Sequence, residues 1–452
     1  MNTLTIKLKQ HTPLIHFQHD QEGATLRASE VKPKLDKYIL TQLGEGDYEK
    51  GKAEAKSKGW LVGKGEHYAL DYKMRIEGSK RVMDLSKSNG YKINPRTKEY
   101  VLDRNGKKIP KYESIPLFFG NMNDNAPKKM VIADQGITID FFSLHNTLLE
   151  YINQELSTFF FLNNFGTRQS KGFGSFFPEK AKLPDVKKDG IYSFEIKTKK
   201  QKGEWKDYQI LFQYIDIFYK TLRSGINQNG CYFKSMMYHY AKSKEEYWDK
   251  RAIRTHFELF TATIKKDNKT IKEEIFGNIP ETKKSDLGEK HDIRTDAEKG
   301  NIMSPNSSAK LYRDMLGLST TQEWMKYGAT INKSITDVER FKSPLLIKPL
   351  YNEDTGNYVV YIIPQAVNDG IQGKTATISV EYKEKNNKDW NLRNKRSHRN
   401  QSSGMLSTPS NFSVSDYLEY VFCGNGNIIA KEQIKKMPSG FIRDYLIDIY
   451  GN

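Results

Sequence analysis

The order of apolar patterns predicts an α+β chain with helices packed on antiparallel sheets. Three observations carry that reading. Two-residue apolar alternation opens the chain and recurs along it, four-residue apolar spacing marks helices between those strands, and a glycine-rich segment follows a long helix directly. The resulting order of strand, helix, strands, helix and glycine-rich loop suits a ferredoxin-like fold, and the second half restarts the pattern, so two such domains are expected. The chain of 452 residues has room for them. The expected division gives residues 1–185 to the first domain and 186–452 to the second.

The elements follow in order. In "TLTIKLKQHTPLIHF" Leu4, Ile6 and Leu8 alternate with Thr5, Lys7 and Lys9, a half-buried strand ended by Thr12-Pro13. "GATLRASEVKPKLDKYILTQL" is a helix with Ser29 as N-cap and Pro33 in its first turn. Val31, Leu35, Ile39 and Leu43 form its buried stripe, with Lys32, Lys34 and Lys37 off it. Residues 44–66, rich in Gly, Lys and Glu, read as a solvated insertion. "YALDYKMRIEG" is a second alternating strand, and residues 78–113 are a basic excursion with a hairpin at "DRNGKK". "SIPLFFGNM" and "KMVIADQGITIDFF" read as strands, and "SLHNTLLEYINQELSTFFFL" as a helix with Leu144, Leu148, Ile152 and Leu156 in register.

In the second half, "GIYSFEIKTK" is a strand and "YQILFQYIDIFYKTLRSGIN" a helix stopped at Gly225. "RTHFELFTATI" fits a strand or a short helix, and "SAKLYRDMLGLS" a helix. "ERFKSPLLIKPLY" and "NYVVYIIPQ" form a strand pair turning at "NEDTGN", and "SVSDYLEYVFC" is a late helix. Two polar stretches, 264–308 and 383–404, read as flexible insertions. The tyrosines of "GCYFKSMMYHYAKSKEEYWDKR" admit base stacking, but Met236, Tyr240 and Tyr247 near helical spacing favour a buried helix face.

A net charge of +17 and a pI near 9.3 predict attraction to polyanions, nucleic acid first. With aromatics at 12% and a mean hydropathy of −0.72, real cores form despite the polarity. Two cysteines, Cys231 and Cys423, build no disulfide framework and no CxxC pair. The N-terminus lacks a signal-peptide core, and the most apolar stretch carries Glu150, Asn153, Gln154 and Glu155. A soluble cytoplasmic protein without membrane partners is expected.

The segment "NNFGTRQSKGFGSFF" (residues 163–177) holds Gly166, Gly172 and Gly174 together with Arg168 and Lys171. Glycines let backbone approach a ligand closely, consecutive N–H groups cradle phosphate, and the two cations add charge-assisted bonds. Spacing alone leaves a helix cap with a surface turn equally open. The pattern is neither G-x-x-x-x-G-K-[ST] nor G-x-G-x-x-G, which argues against a nucleotide cofactor. "GIQGKTAT" mimics only the end of a P-loop, because Asn368 stands where the leading glycine belongs.

A glycine-rich loop of this form, in a basic chain with this strand and helix order, resembles that of the RAMP superfamily of CRISPR effector proteins. "LTIKLKQHTPLIHF" with "GATLRASEVKPKL" resembles the opening strand, Thr-Pro turn and LR-x-S-x-x-K helix start of the first subunit of the type III-B (Cmr) complex. "ERFKSPLLIKPLY" is similar to an Arg-x-x-Ser-Pro-Leu strand of its second half. The glycine and tryptophan-rich basic helix usual after the first motif is absent from "KPKLDKYIL". The resemblance implies ferredoxin-like (RAMP/RRM-like) domains and a non-catalytic subunit of a ribonucleoprotein complex in antiviral defence, whose partners are guide RNA, target RNA and other RAMP subunits. It implies no cofactor and no metal. Carried onto this sequence, the RNA-binding positions are Arg27, Lys32, Lys34, Gly166, Arg168, Lys171, Gly172, Gly174, Arg340 and Lys342. A solvated helix face is the alternative for Lys32 and Lys34.

Catalytic signals are thin. His11, His16 and His19 lie close together without further metal ligands. Some RAMP relatives cleave RNA with an early histidine as general base, which makes His16 the nuclease candidate and CRISPR RNA processing the runner-up function. Asp20 and Asp36 are the nearby carboxylates, neither in a diagnostic context. The loop at 383–399 holds seven Lys or Arg against two acids and fits either an RNA contact or a solvated linker.

Overall fold

A computed structural model describes the chain outside residues 17–24, 65–66, 85–87, 95–96, 104, 113–128, 185–189, 198–204, 258–261, 267–268, 274–307, 325–328, 368, 383–402 and 452. The architecture is α+β. The chain forms two compact units: residues 1–219, 345–364 and 444–452 make one, residues 220–344 and 365–443 the other. The division falls inside the helix Trp205–Arg223. The boundary expected near residue 185 lies outside the described residues.

The first unit is built on a four-stranded antiparallel sheet. Its order is Phe176–Pro178, Asn2–Gln10, Ile137–Ser143, Lys73–Gly78. Registers such as Ile6 opposite Ile139 and Ile139 opposite Ile76 line up the apolar face across three strands. One helix, Ala28–Leu43, follows the first of these strands in sequence, and a second, Asn146–Phe161, precedes the last. Both pack on the sheet through period-matched stripes. The first helix buries Val31, Leu35, Ile39 and Leu40, and the second Leu148, Leu149, Ile152, Leu156 and Phe159 to Phe161. A three-stranded antiparallel sheet completes the unit, with Tyr192–Ile196 beside the hairpin Leu345–Asn352 and Asn357–Pro364. That hairpin turns at "NEDTGN" as expected, with Asn352 opposite Asn357.

Several local readings need correction. Residues 44–66 are not simply solvated: they hold the helix Tyr48–Ser57, capped by the Asp47 carboxylate, and the strand Leu61–Lys64. Ala55 and Trp60 enter the core. The two helices come so close that a Cβ on Gly51 would stand 1.8 Å from the Leu40 carbonyl oxygen. Leu144 precedes its helix and is exposed. The N-cap of the first helix is Arg27, without a side-chain cap bond, so Ser29 lies in its first turn and Pro33 lies past it. "YALDYKMRIEG" breaks at Asp71-Tyr72 into the strands His67–Leu70 and Lys73–Gly78. "SIPLFFGNM" falls among residues 113–128, outside the described ones. The "DRNGKK" hairpin is present, with Leu102 bridged to Lys108.

The second unit carries a six-stranded sheet in the order Tyr247–Trp248, Ala309–Lys310, Ser403–Ser407, Thr375–Tyr382, Ala329–Ile335, Thr321–Trp324. Its first two pairings are parallel and the rest antiparallel. "SAKLYRDMLGLS" is a strand end and a 3-10 turn, Tyr312–Leu316, rather than a regular helix. Two buried charges hold the turn: Arg313 Nε and Nη2 both donate to Asp249 Oδ2, at 2.8 and 2.7 Å, and Asp314 bonds Lys333. "RTHFELFTATI" divides between the helix Asp249–His256 and the strand Ala262–Lys266. Met236 and Tyr240 are buried on the helix Met236–Ser243, whereas Tyr247 is exposed. "GIQGKTAT" leads into a strand, which excludes a P-loop. Most of the insertion at 264–308, and nearly all of that at 383–404, lies outside the described residues.

Candidate nucleic-acid interface

The glycine-rich segment starts where the helix Asn146–Phe161 stops and ends in the edge strand Phe176–Pro178. Between them the backbone makes a compact knot. Arg168 is left-handed (φ 59°), Gln169–Lys171 form a 3-10 turn, and Gly172 is again left-handed (φ 88°). Asn164 bridges Ser175, and its amide donates to the Gln169 and Ile347 carbonyls at 2.8 Å each.

All three glycines are buried, and their N–H groups bond within the unit. Gly166 donates to the Glu30 carboxylate, Gly172 to the Gln169 carbonyl at 3.3 Å, and Gly174 to the Pro13 carbonyl at 2.8 Å. Their missing side chains are filled by neighbouring chain. A Cβ on Gly166 would meet the Ile15 carbonyl oxygen at 2.4 Å, one on Gly174 the Phe165 carbonyl oxygen at 1.9 Å, and one on Gly172 the Pro349 ring at 3.0 Å. The close approach expected from sequence is therefore real, but it is an approach of protein to protein. Phe173 likewise packs inside the unit, stacked on Phe212 with centroids 3.9 Å apart.

Cationic side chains converge on this knot. Lys34, from the first helix, places its ammonium 3.2 Å from the Asn164 carbonyl, 2.9 Å from Gln169 Oε1 and 4.9 Å from the Phe165 ring. Arg168 and Lys171 are half-buried on the loop itself, with the Lys171 ammonium 2.8 Å from the Tyr219 ring centroid. Burial lowers the Arg168 guanidinium from its ordinary value, though arginine stays charged. Arg27 starts the helix that carries Lys34, and its Nη2 is buried without a hydrogen-bond partner among the described residues.

Two comparisons bear on this geometry. Family models match most of the chain: the Cmr1 N-terminal domain at residues 1–226 and the Cmr1 C-terminal domain at residues 232–445. The chain belongs to the Cmr1 family. That makes it a component of a type III-B CRISPR complex, as the loop and the two flanking motifs led us to expect. No curated protein matches it.

Within this Cmr1-family chain the expected site residues separate. Arg27, Lys34, Gly166, Arg168, Lys171, Gly172 and Gly174 lie together in the first unit. Lys32 does not join them. It pairs with Asp36 at 3.0 Å, donates to the Leu70 carbonyl at 3.0 Å and covers the Tyr72 ring at 3.6 Å. Arg340 and Lys342 belong to the second unit and are exposed. The reading of "ERFKSPLLIKPLY" overlooked Lys348, which is fully buried. Its ammonium bonds the Asn163 and Phe176 carbonyls at 2.9 Å each and Asn164 Oδ1 at 3.2 Å, so it ties the two ends of the knot together. Burial drives its pKa well below the ordinary value. The available signal was a lone lysine inside the continuous apolar run "LLIKPLY".

The catalytic candidates are placed as follows. His11 is buried, and its Nδ1 accepts the Tyr351 N–H at 2.8 Å, so that nitrogen is already engaged. Desolvation, with Lys348 and Lys9 nearby, holds its pKa well below normal. His16 is half-buried, and His19 and Asp20 lie outside the described residues. Among the described residues no group of three His, Cys, Asp or Glu is arranged to hold a metal, and no helix is long and apolar enough to cross a membrane.

Proposed function

We propose that this chain is the RNA-binding subunit of its type III-B effector, holding the backbone of guide or target RNA in antiviral defence. The observation that supports this most directly is the gathering of Lys34, Arg168 and Lys171 at one buried knot, with Arg27 at the start of the helix that carries Lys34. The three glycine N–H groups are used internally, so side-chain cations rather than a glycine main-chain cradle make the phosphate contacts. The strand order of the first unit supports a ferredoxin-like RAMP domain: in chain order its strands are first, second, third and fourth, and in space 4-1-3-2, with a helix after the first and after the third. The second unit's sheet has two parallel pairings that one such motif does not make.

On this reading the chain works in the cytoplasm beside other RAMP subunits and has no catalytic role. The test is binding of single-stranded RNA by Arg168→Ala with Lys171→Ala. A drop of roughly tenfold or more is expected for two lost charge-assisted contacts; unchanged affinity would remove the loop from the interface. A parallel arm incubates CRISPR repeat RNA in EDTA with wild type and His16→Ala. No cleavage is expected, and cutting abolished by the substitution would make the protein a metal-independent nuclease instead.

A further inference from the structure

A second feature of the first unit shares only Lys32 and Asp36 with the candidates above. The close crossing at Gly51 and Leu40 sets the helix Tyr48–Ser57 against the helix Ala28–Leu43, and the strand His67–Leu70 flanks them. These three elements and Met74 of the strand Lys73–Gly78 line a concavity of about 940 Å³, within the range of small-ligand sites. Leu40 and Met74 supply apolar lining, Tyr48 and Tyr68 aromatic lining, and Lys32 and Lys37 charge. Lys52 and Lys56, one helical turn apart, hold their ammonium groups 5.5 and 5.8 Å from the Tyr68 ring centroid.

The charge of this concavity is one-sided. Its acid, Asp36, is neutralised by Lys32. Lys37, Lys52 and Lys56 make no ion pair among the described residues. Unpaired lysines beside two tyrosines form the combination that binds single strands: rings for the π-face of a base, cations for the flanking phosphates. A base in a duplex cannot enter such a recess, because both its faces are already stacked.

We propose that this concavity is a nucleobase-binding subsite for single-stranded RNA, in which one unpaired base lies against Tyr48 and Tyr68 while Lys37, Lys52 and Lys56 contact the adjoining phosphates. The inference rests on the RNA-binding reading above and adds a second contact on the same unit. Lys52 and Lys56 pair with no carboxylate among the described residues, so phosphate would draw them only from the Tyr68 ring, whose face the base then takes, whereas the Lys34 contacts at the loop are shared with the fold.

The test uses the full-length protein, a fluorescent single-stranded RNA carrying 4-thiouridine, and the variants Tyr68→Ala, Tyr68→Phe and Tyr48→Ala with Tyr68→Ala. Affinity is expected to fall roughly tenfold for Tyr68→Ala and further for the double variant, with Tyr68→Phe near wild type. Photo-cross-linking of wild type, which needs no variant to fold, should place adducts at Tyr48 or Tyr68. Wild-type affinity in the double variant, or adducts confined to other segments, overturns the subsite while leaving RNA binding in place. Wild-type protein that binds no RNA at low salt overturns both readings.

Discussion

His11 shows how a single side chain records the environment in which it was buried. It follows the opening strand, accepts the Tyr351 N–H, and lends its own carbonyl to the Tyr358 hydroxyl at 3.0 Å. Charging it would put a cation beside Lys348 and Lys9 without water to screen it, so its folded pKa lies well below the ordinary value near 6.5. The unfolded chain then binds more protons than the folded one whenever pH falls through the unfolded value. The stabilisation is complete above about 6.5 and is lost progressively as pH drops below it. His239, lowered to about 4 by burial and by Lys234 and Lys242, adds a contribution of the same sign. The unfolding midpoint in urea should therefore fall as the buffer is taken from neutral toward pH 5. His11→Asn keeps an acceptor without a titrating ring and should flatten that dependence. An identical slope in the variant would show that His11 is not the group responsible. Such a role was invisible in "HTPLIHFQH", where three histidines look alike and only burial tells them apart.

At the level of elements, the glycine-rich knot separates two reasons for a glycine. Gly174 has φ +67°, and a Cβ there would collide with the Phe165 carbonyl oxygen; Gly106 has φ +73° with nothing within 4 Å. Alanine at Gly106 meets only the left-handed penalty of about 1–2 kcal/mol. Alanine at Gly174 meets that penalty and must also break the bridge of Asn164 to Ser175, so a loss of more than about 3 kcal/mol is expected in equilibrium unfolding. Equal losses for the two variants would mean that the close approach carries no energy. The same contrast explains what was legible here. Periodicity located both helices of the first unit, because Val31, Leu35 and Ile39, or Leu148, Ile152 and Leu156, must face the sheet whatever lies around them. Composition misread residues 44–66, because a Gly such as Gly51 that makes room for another helix looks the same as a Gly in a solvated turn. At the loop, the need for glycine was legible, but the partner of each approach, such as Ile15 or Phe165, is set by tertiary contact.

The whole molecule adds what neither residue nor element contains. Pairing of the hairpin Leu345–Pro364 with Tyr192–Ile196 puts Lys348 under a loop nearly two hundred residues earlier in the chain, a juxtaposition no local pattern encodes. Net charge, by contrast, is read directly from the sequence, and it makes the last prediction. With +17 on the chain, association with RNA releases condensed counterions, and log K falls linearly with log salt. For a single strand the slope is about −0.7 for each phosphate neutralised, so an interface that engages about five phosphates has a slope near −3.5. Arg168 and Lys171, if each neutralises one phosphate, account for about 1.4 of that slope. Titrations between about 50 and 200 mM salt should thus give a line for Arg168→Ala with Lys171→Ala that is flatter by that amount and converges on wild type as salt rises. Tyr68→Ala removes no charge, so its line should run parallel to wild type at lower affinity. A parallel shift in the loop variant would assign the two cations to holding the knot rather than the RNA, and a changed slope for Tyr68→Ala would mean that the tyrosine acts by orienting Lys52 and Lys56.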